Sequence, residues 1–287
     1  MSAPLRLGTR GSPLALAQAR WVAARLGGAS EIVVVRTEGD RDASRPLAEF
    51  PEPGAFTCAL QDALRSGQVD LAIHSFKDLP VEEPAGLSIL AVPVREDPRD
   101  LWISRSGAPW REAPRGARVG TGSPRRVSQL AALREDLAAV PIRGNLDTRL
   151  AKMARGEVDA LVVAFAGVRR LGLTPAGAVP FPPEEMLGAP GQGALAIEGR
   201  ADEGDRLGDA LRALHDRDAW RCACAERDLL RRMGGGCHLA LGALATLDGE
   251  AIRLRAAYAV EEGLRRVDVR GATPEDAALA AREALSR

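Results

Sequence analysis

An α/β protein of two lobes followed by a small α+β domain is the fold that three observations predict. Strand-like and helix-like segments alternate through the first two-thirds of the chain, the pattern of a mainly parallel sheet covered by helices. A serine–proline turn between strand and helix occurs twice, once in each half of that region. From Leu239 the order changes to strand, strand, strand, helix, the pattern of an antiparallel sheet with one covering helix. At 287 residues the chain is long enough for two or three domains.

The elements follow in order. Leu5 to Thr9 reads as a strand and Pro13 to Leu26 as a helix; Ile32 to Thr37 is β-branched and strand-like, and Ala55 to Ser66 helical. Leu71 to Ile73 is a short buried strand and Leu87 to Val92 another. The second lobe repeats the scheme, with strands at Leu101 to Ser104, Arg118 to Gly120, Val140 to Arg143 and Ala160 to Ala164. Its helices are Pro124 to Leu133 and Leu146 to Arg155. Pro93 to Pro98 and Pro180 to Pro190 are the expected crossings between lobes. Trp220 to Met233 is helix-like. The tail has strands at Leu239 to Thr246, Ala251 to Tyr258 and Leu264 to Arg270, then a helix at Pro274 to Leu285. Asp248-Gly249 suits a hairpin turn, and Thr273-Pro274-Glu275-Asp276 a helix start.

Composition narrows the function classes. Lys+Arg and Asp+Glu balance at 39 each, which argues against broad nucleic-acid binding. No apolar run approaches the roughly 20 residues of a membrane span, and the N-terminal residues lack a signal-peptide layout. A cytoplasmic protein is the expectation. Among the basic residues only Lys77 and Lys152 are lysines, so Lys77 marks a place where a compact ammonium replaces the habitual guanidinium fork. The four cysteines, Cys58, Cys222, Cys224 and Cys237, fit no disulfide or zinc spacing. Cys237 differs from the rest because Gly234-Gly235-Gly236 delivers it between a helix and a strand. Three glycines imply a tight path or close approach by another molecule, and a thiol at the end of such a loop suits a nucleophile or a covalent attachment point. A flexible helix end followed by a buried cysteine is the plain alternative.

Other residues collect on turns. Thr9-Arg10-Gly11-Ser12-Pro13 and Thr121-Gly122-Ser123-Pro124-Arg125 each place a serine at N-cap and a proline at the first helical position. Both leave N–H groups at a positive helix end, which suits a carboxylate or phosphate; plain capping explains them equally. Asp70 to Pro80 is a buried strand running into a polar turn with Lys77 beside Asp78. A carboxylate there could hydrogen-bond a ligand N–H and stabilise developing positive charge, or be a surface ion pair. His74, near the strand end, reads as a core residue before a general base. Arg125-Arg126 and Arg143 to Arg149 lie where strands pass into helices, and guanidinium forks bind carboxylates bidentately. Together these residues suggest a polyanionic small molecule held between lobes, with Cys237 presented to it.

Thr9 to Leu16, His74-Ser75-Phe76-Lys77-Asp78-Leu79-Pro80, Arg95-Glu96-Asp97-Pro98-Arg99-Asp100, Gly120 to Arg126, Arg143-Gly144-Asn145, Gly191-Gln192-Gly193-Ala194 and Gly235-Gly236-Cys237 resemble, in order and over nearly the whole chain, the porphobilinogen deaminase (hydroxymethylbilane synthase) family. The resemblance implies two lobes like those of periplasmic binding proteins, with mixed, mainly parallel sheets, plus a C-terminal α+β domain with a three-stranded antiparallel sheet. The implied boundaries are 1–93 with 190–212, 94–189, and 213–287. It implies a dipyrromethane cofactor on Cys237 through a thioether. Four porphobilinogen molecules then join in turn with loss of ammonia, and hydroxymethylbilane is released by hydrolysis. Asp78 matches the catalytic carboxylate, assisted by Lys77 and Arg10. Ser75, Lys77, Asp78, Thr121, Ser123, Arg125, Arg126 and Gly144 match cofactor-binding positions, and Arg10, Ser12, Arg143, Arg149, Arg170 and Gln192 substrate-binding ones. The partners it implies are porphobilinogen and the growing polypyrrole, with no metal, nucleic acid or membrane, for a monomer. One stretch departs: Leu47 to Phe56 carries Glu49 and Pro53 where the family has lysines in a mobile loop, and Arg41 or Arg45 could stand in for them. A non-catalytic two-lobed anion-binding protein and a thiol redox enzyme using Cys237 are the alternatives from other classes.

Overall fold

In chain order the strands are β1 (Leu5–Thr9), β2 (Ser30–Val34), β3 (Leu71–Ser75), β4 (Leu87–Ala91), β5 (Asp100–Ser104), β6 (Arg118–Gly120), β7 (Ala138–Val140), β8 (Ala160–Ala164), β9 (Ala178–Pro180), β10 (Leu195–Arg200), β11 (Leu241–Asp248), β12 (Ala251–Val260) and β13 (Gly263–Gly271). The helices are α1 (Pro13–Ala23), α2 (Cys58–Arg65), α3 (Pro124–Leu133), α4 (Leu146–Ala154), α5 (Phe165–Arg170), α6 (Gly208–Leu214), α7 (Arg217–Arg232) and α8 (Pro274–Ser286). The structure is a computed structural model that describes residues 3–36, 57–203, 208–236 and 239–287. It divides into Met1–Glu96 with Ala194–Trp220, and Asp97–Gly193 with Arg221–Arg287. None of the helices among the described residues is long and apolar enough to cross a membrane.

The first unit holds a five-stranded sheet in the order β2-β1-β3-β10-β4. β1 runs parallel to β2 and β3, while β10 is antiparallel to β3 and β4. Alternate side chains enter two cores: Leu7, Leu71, Ile73, Leu195 and Ile197 meet Ala19 and Val22 of α1, and Ala72 meets Leu60 and Leu64 of α2 on the other face. The chain enters α1 through Ser12, whose hydroxyl accepts from Ala15 N at 3.3 Å, with Pro13 at the first helical position.

The second unit repeats the plan with β7-β6-β8-β5-β9. β6 is parallel to β7 and β8, and β5 is antiparallel to β8 and β9. Trp102, Val119, Val162 and Phe181 pack with Leu130 of α3 on one face, and Leu101, Ile103, Leu161 and Val163 with Met153 on the other. The same unit contains the antiparallel sheet β11-β12-β13, covered by α8 through Ala277, Ala278, Ala281 and Leu285. Thr273 and Asp276 form a reciprocal capping box at the start of α8. Leu187 packs with Leu244 and Ala257 of the small sheet.

Three expectations need correction. The strand expected at Val140 to Arg143 is β7, which ends at Val140 because Pro141 has no N–H to continue the ladder. The two serine–proline turns are not equivalent. The Ser123 side chain makes no cap bond, and its backbone N–H donates instead to Thr121 Oγ1 at 3.3 Å. The proline-rich stretch expected as a crossing begins in β9, and β10, α5 and α6 form where the sequence predicts no element. The Leu47 to Phe56 loop, Arg41, Arg45, Cys237 and His238 lie outside the described residues.

Candidate functional site

In the first unit, β1 and β3 end side by side, so their following turns share one edge of the sheet, where ligands of open α/β sheets bind. A small cavity of about 60 Å³ opens there. It gathers Arg10, Ser12, Ser75 and Asp78, all expected site residues, with Leu14, Ala15, Gln18, Thr57, Ile73 and His74. Ser75 ends β3, and Phe76–Asp78 is a single 3₁₀ turn whose fully buried Phe76 anchors it. That anchoring leaves Asp78 exposed and Lys77 half-buried. Gln18, buried on α1, donates to Ser75 Oγ at 2.9 Å. A larger recess of about 250 Å³ lined by Leu90, Gly208, Leu211, Arg212 and His215 lies elsewhere in this unit and collects none of the expected residues. The smaller one is the cavity at which four of the expected residues meet.

The second unit supplies arginines. Arg125 and Arg126, at the head of α3, are both buried on Asp100, the first residue of β5. Arg125 Nη1 donates to Asp100 Oδ2 and to Leu187 O, each at 2.6 Å. Arg126 Nε and Nη2 donate to Asp100 Oδ1 at 3.1 and 2.8 Å, and Nη1 donates to Val162 O at 3.0 Å. Gln192 Nε2 adds a fourth donor to that carboxylate at 3.0 Å and also reaches Pro98 O and Arg99 O. Burial alone would raise the Asp100 carboxyl, but the charges and N–H groups of the two arginines outweigh it and hold the group well below its ordinary range. Two guanidiniums on one carboxylate leave a surplus positive charge.

That surplus extends along the edge. Arg149 donates from Nε to Gly144 O at 2.7 Å. Its guanidinium is pushed down first by burial, then by the charges of Arg126 and Arg143; no carboxylate acts on it among the described residues. Gly144 makes the turn possible. Its φ is +108°, and a Cβ there would stand 2.7 Å from Thr148 Cγ2. Arg143 is held by Lys152, whose Nζ donates to Arg143 O at 3.2 Å. Thr121 is buried and takes Val140 O as its backbone partner at 2.9 Å. Arg170 Nη2 donates to Gly193 O at 2.7 Å.

The structure thus brings Arg10, Ser12, Ser75 and Asp78 together in one unit, and Arg126, Arg143 and Arg149 together in the other. Gln192 is wholly buried in the Asp100 knot. The sequence reading assigned no role to Asp100, Gln18 or Glu226. Glu226, fully buried on α7, accepts from Gly191 N at 2.7 Å and Ala245 N at 2.8 Å, tying the Gly191 turn to β11. Asp100 had a readable signal, an acid at the start of an apolar strand; Gln18 and Glu226 had none. Cys58 is exposed and Cys222 is buried.

Comparison with known proteins gives a consistent set of relatives. Residues 5–207 match the family model described as porphobilinogen deaminase, dipyrromethane cofactor binding domain, and residues 220–286 that of the porphobilinogen deaminase C-terminal domain. A porphobilinogen deaminase of Syntrophus aciditrophicus is 48% identical over 256 residues, 88% of this chain and 83% of that protein. One of Acidothermus cellulolyticus is 47% identical over 95% of this chain and 85% of its own. Among solved structures, an arginine-specific periplasmic binding protein of Salmonella typhimurium is similar at a TM-score of 0.43 and 14% identity, over 74% of this chain and 92% of that one.

Proposed function

This chain belongs to the porphobilinogen deaminase family, and we propose that a carboxylate turn in its first lobe and an arginine cluster in its second divide the work of the family's reaction. The enzyme is a transferase. It condenses four porphobilinogen molecules head to tail, releases one ammonia at each step, and frees hydroxymethylbilane by hydrolysis. The dipyrromethane cofactor, when bound, supplies the pyrrole carbon on which the chain starts. We assign its thioether to Cys237, the cysteine that the triple glycine delivers.

The observation that carries the reading is the gathering of Arg143 and Arg149 beside two arginines that already share the one carboxylate of Asp100, which leaves the group in positive excess. Cations that destabilise one another persist where an anion is expected, and pyrroles bearing acetate and propionate groups fit that demand. Arg125, Arg126, Arg143, Arg149 and Arg170 would hold those carboxylates, with Thr121, Ser123 and the Gly144 turn completing the polar edge. In the first lobe Arg10 and Ser12 would hold the incoming substrate. Ser75 and Lys77 flank Asp78, whose exposed carboxylate accepts pyrrole N–H groups and stabilises positive charge as ammonia departs. For Gln192 the buried bonds favour bracing Asp100 over touching substrate. The Glu49 to Gly54 stretch is proposed to bind no substrate side chain, since its acids would repel carboxylates. A cytoplasmic monomer remains part of the proposal, and sedimentation of the purified enzyme tests the oligomeric state.

Intact mass tests the assignment. The purified protein should exceed its sequence mass by one dipyrromethane, localised to the Cys237 peptide. An active enzyme with a free Cys237 thiol sinks the assignment. Asp78→Asn should keep its fold and lose on the order of 100- to 1,000-fold in turnover.

A further inference from the structure

Beneath the small cavity lies a buried acid that the reaction, as assigned, does not use. Glu198 of β10 is 2% exposed and His74 of β3 is 5% exposed. In the antiparallel register Glu198 pairs with Ala72 and Ala196 with His74, so the two side chains meet diagonally on one face of the sheet. Glu198 Oε1 accepts from Gln61 Nε2 of α2 at 3.0 Å. Glu198 Oε2 stands 3.1 Å from His74 Nε2, but the two are not aligned for a hydrogen bond, which leaves both atoms without a partner. The distance and the angle disagree here. The pair is in ion-pair range without a hydrogen bond between these two atoms. Among the described residues no arginine or lysine neutralises Glu198.

Such a pair is a poor way to stabilise a sheet. Taking a carboxylate and an imidazole out of water costs more than well-packed apolar side chains of similar size. Its place suggests why it is there. His74 lines the cavity with Arg10, Ser75 and Asp78, and the β3–β10 pairing ends one residue later, at Ser75 with Leu195. Past that point a backbone bond, Phe76 N to Ala194 O at 3.0 Å, continues the tie between the turn and its neighbour. The contact of Glu198 with His74 therefore joins these strands two residues before the turn that carries Asp78. Through Gln61 the same carboxylate also fixes the helix that begins beside Thr57, another cavity residue.

We propose that Glu198 is a positioning residue of the reaction, acting through His74 to hold the strand end and turn that aim Asp78 at substrate. The inference rests on the assignment of Asp78 to the reacting site. Geometry of this kind matters steeply, because a misplacement of about 1 Å can cost on the order of 100-fold in rate.

The test uses the holoenzyme with its covalent cofactor, checked by intact mass. The double variant His74→Leu with Glu198→Met removes the polar pair at similar volume. It should melt at or above the parent temperature, retain the cofactor, and lose between about 10- and 100-fold in kcat with KM within about threefold. The isosteric Glu198→Gln should move kcat in the same direction by a smaller factor. A folded, loaded double variant with kcat within about twofold of the parent overturns the proposal, as does a changed KM with kcat intact. Should the double variant fail to fold, Glu198→Gln decides: parental kcat overturns the inference. Asp78→Asn runs alongside. Parental turnover in that variant defeats the Asp78 assignment itself, whereas an inactive Asp78→Asn beside a fully active double variant defeats only the role of the pair.

Discussion

Ser12-Pro13-Leu14-Ala15 heads the first helix of one lobe, and Ser123-Pro124-Arg125-Arg126 heads the first helix of the other. The sheets beneath them have the same order and directions, β2-β1-β3-β10-β4 against β7-β6-β8-β5-β9. Matching positions can therefore be compared. The reversed strand begins with Leu195 in one lobe, paired with the last residue of β3. In the other it begins with Asp100, paired with the last residue of β8. Where the helix offers Leu14 and Ala15, the strand offers leucine; where it offers two arginines, the strand offers aspartate. The fold closes equally well either way, so the charged version is not a requirement of the architecture. It is an electrostatic addition, and it stands in the lobe that carries the surplus of guanidinium.

The sharpest break of this comparison is Asp100→Asn. It strands two buried guanidiniums, and losing one partner of a buried ionic set costs about 3–5 kcal/mol, measurable as a lower urea midpoint. The same carboxyl fixes the sign of the acid response. Its folded pKa lies below its ordinary value of 3.8, so its stabilisation is complete above that pH and is lost as pH falls toward the folded value. Asp100→Asn should therefore flatten the acid limb of a stability profile, and an unchanged limb would count against the knot. A smaller effect on stability is expected from making the second lobe like the first. Asp100→Leu, Arg125→Leu and Arg126→Ala together should cost less than Asp100→Asn, because no buried charge is left without its partner, while intact mass shows the cofactor missing. Retention of the full adduct would remove the arginines from cofactor binding. The gentlest test uses the serines. Ser12→Ala should cost about 1 kcal/mol through its lost cap, and Ser123→Ala no more than about 0.3 kcal/mol. Equal costs would restore the symmetry that the hydrogen bonds deny.

Much of this was readable because strands and helices announce themselves through period and punctuation. β6, α3 and β8 fall where apolar runs meet turn residues, and Pro13 and Pro124 mark helix starts without ambiguity. The sequence does not announce β10 because Glu198 and Gly199 interrupt an apolar run that is nonetheless an interior strand of its sheet, between β3 and β4. The cavity residues of the first lobe were legible as two turns, since each follows a strand end. The partners of those residues were not. Gln18 reaches Ser75 across 57 positions, Gln61 reaches Glu198 across 137, and nothing local in a sequence distinguishes such a glutamine from a solvated one. Arg125 and Arg126 are legible as anion binders; that they also share one of this chain's own carboxylates, Asp100, is not.

Lysine scarcity has a practical consequence. Apart from its α-amino group, the chain offers an amine-directed reagent only two addresses, Lys77 and Lys152. Lys77 stands on the 3₁₀ turn next to Asp78, and the Lys152 ammonium rests on the carbonyl of Arg143. Each amine therefore sits in a different lobe at the edge assigned to substrate. Reductive methylation with isotopically labelled formaldehyde would install one spectroscopic reporter per lobe, with no mutagenesis and almost no background. Because dimethylation keeps the positive charge, the reporters would follow substrate binding with the electrostatics of both sites preserved.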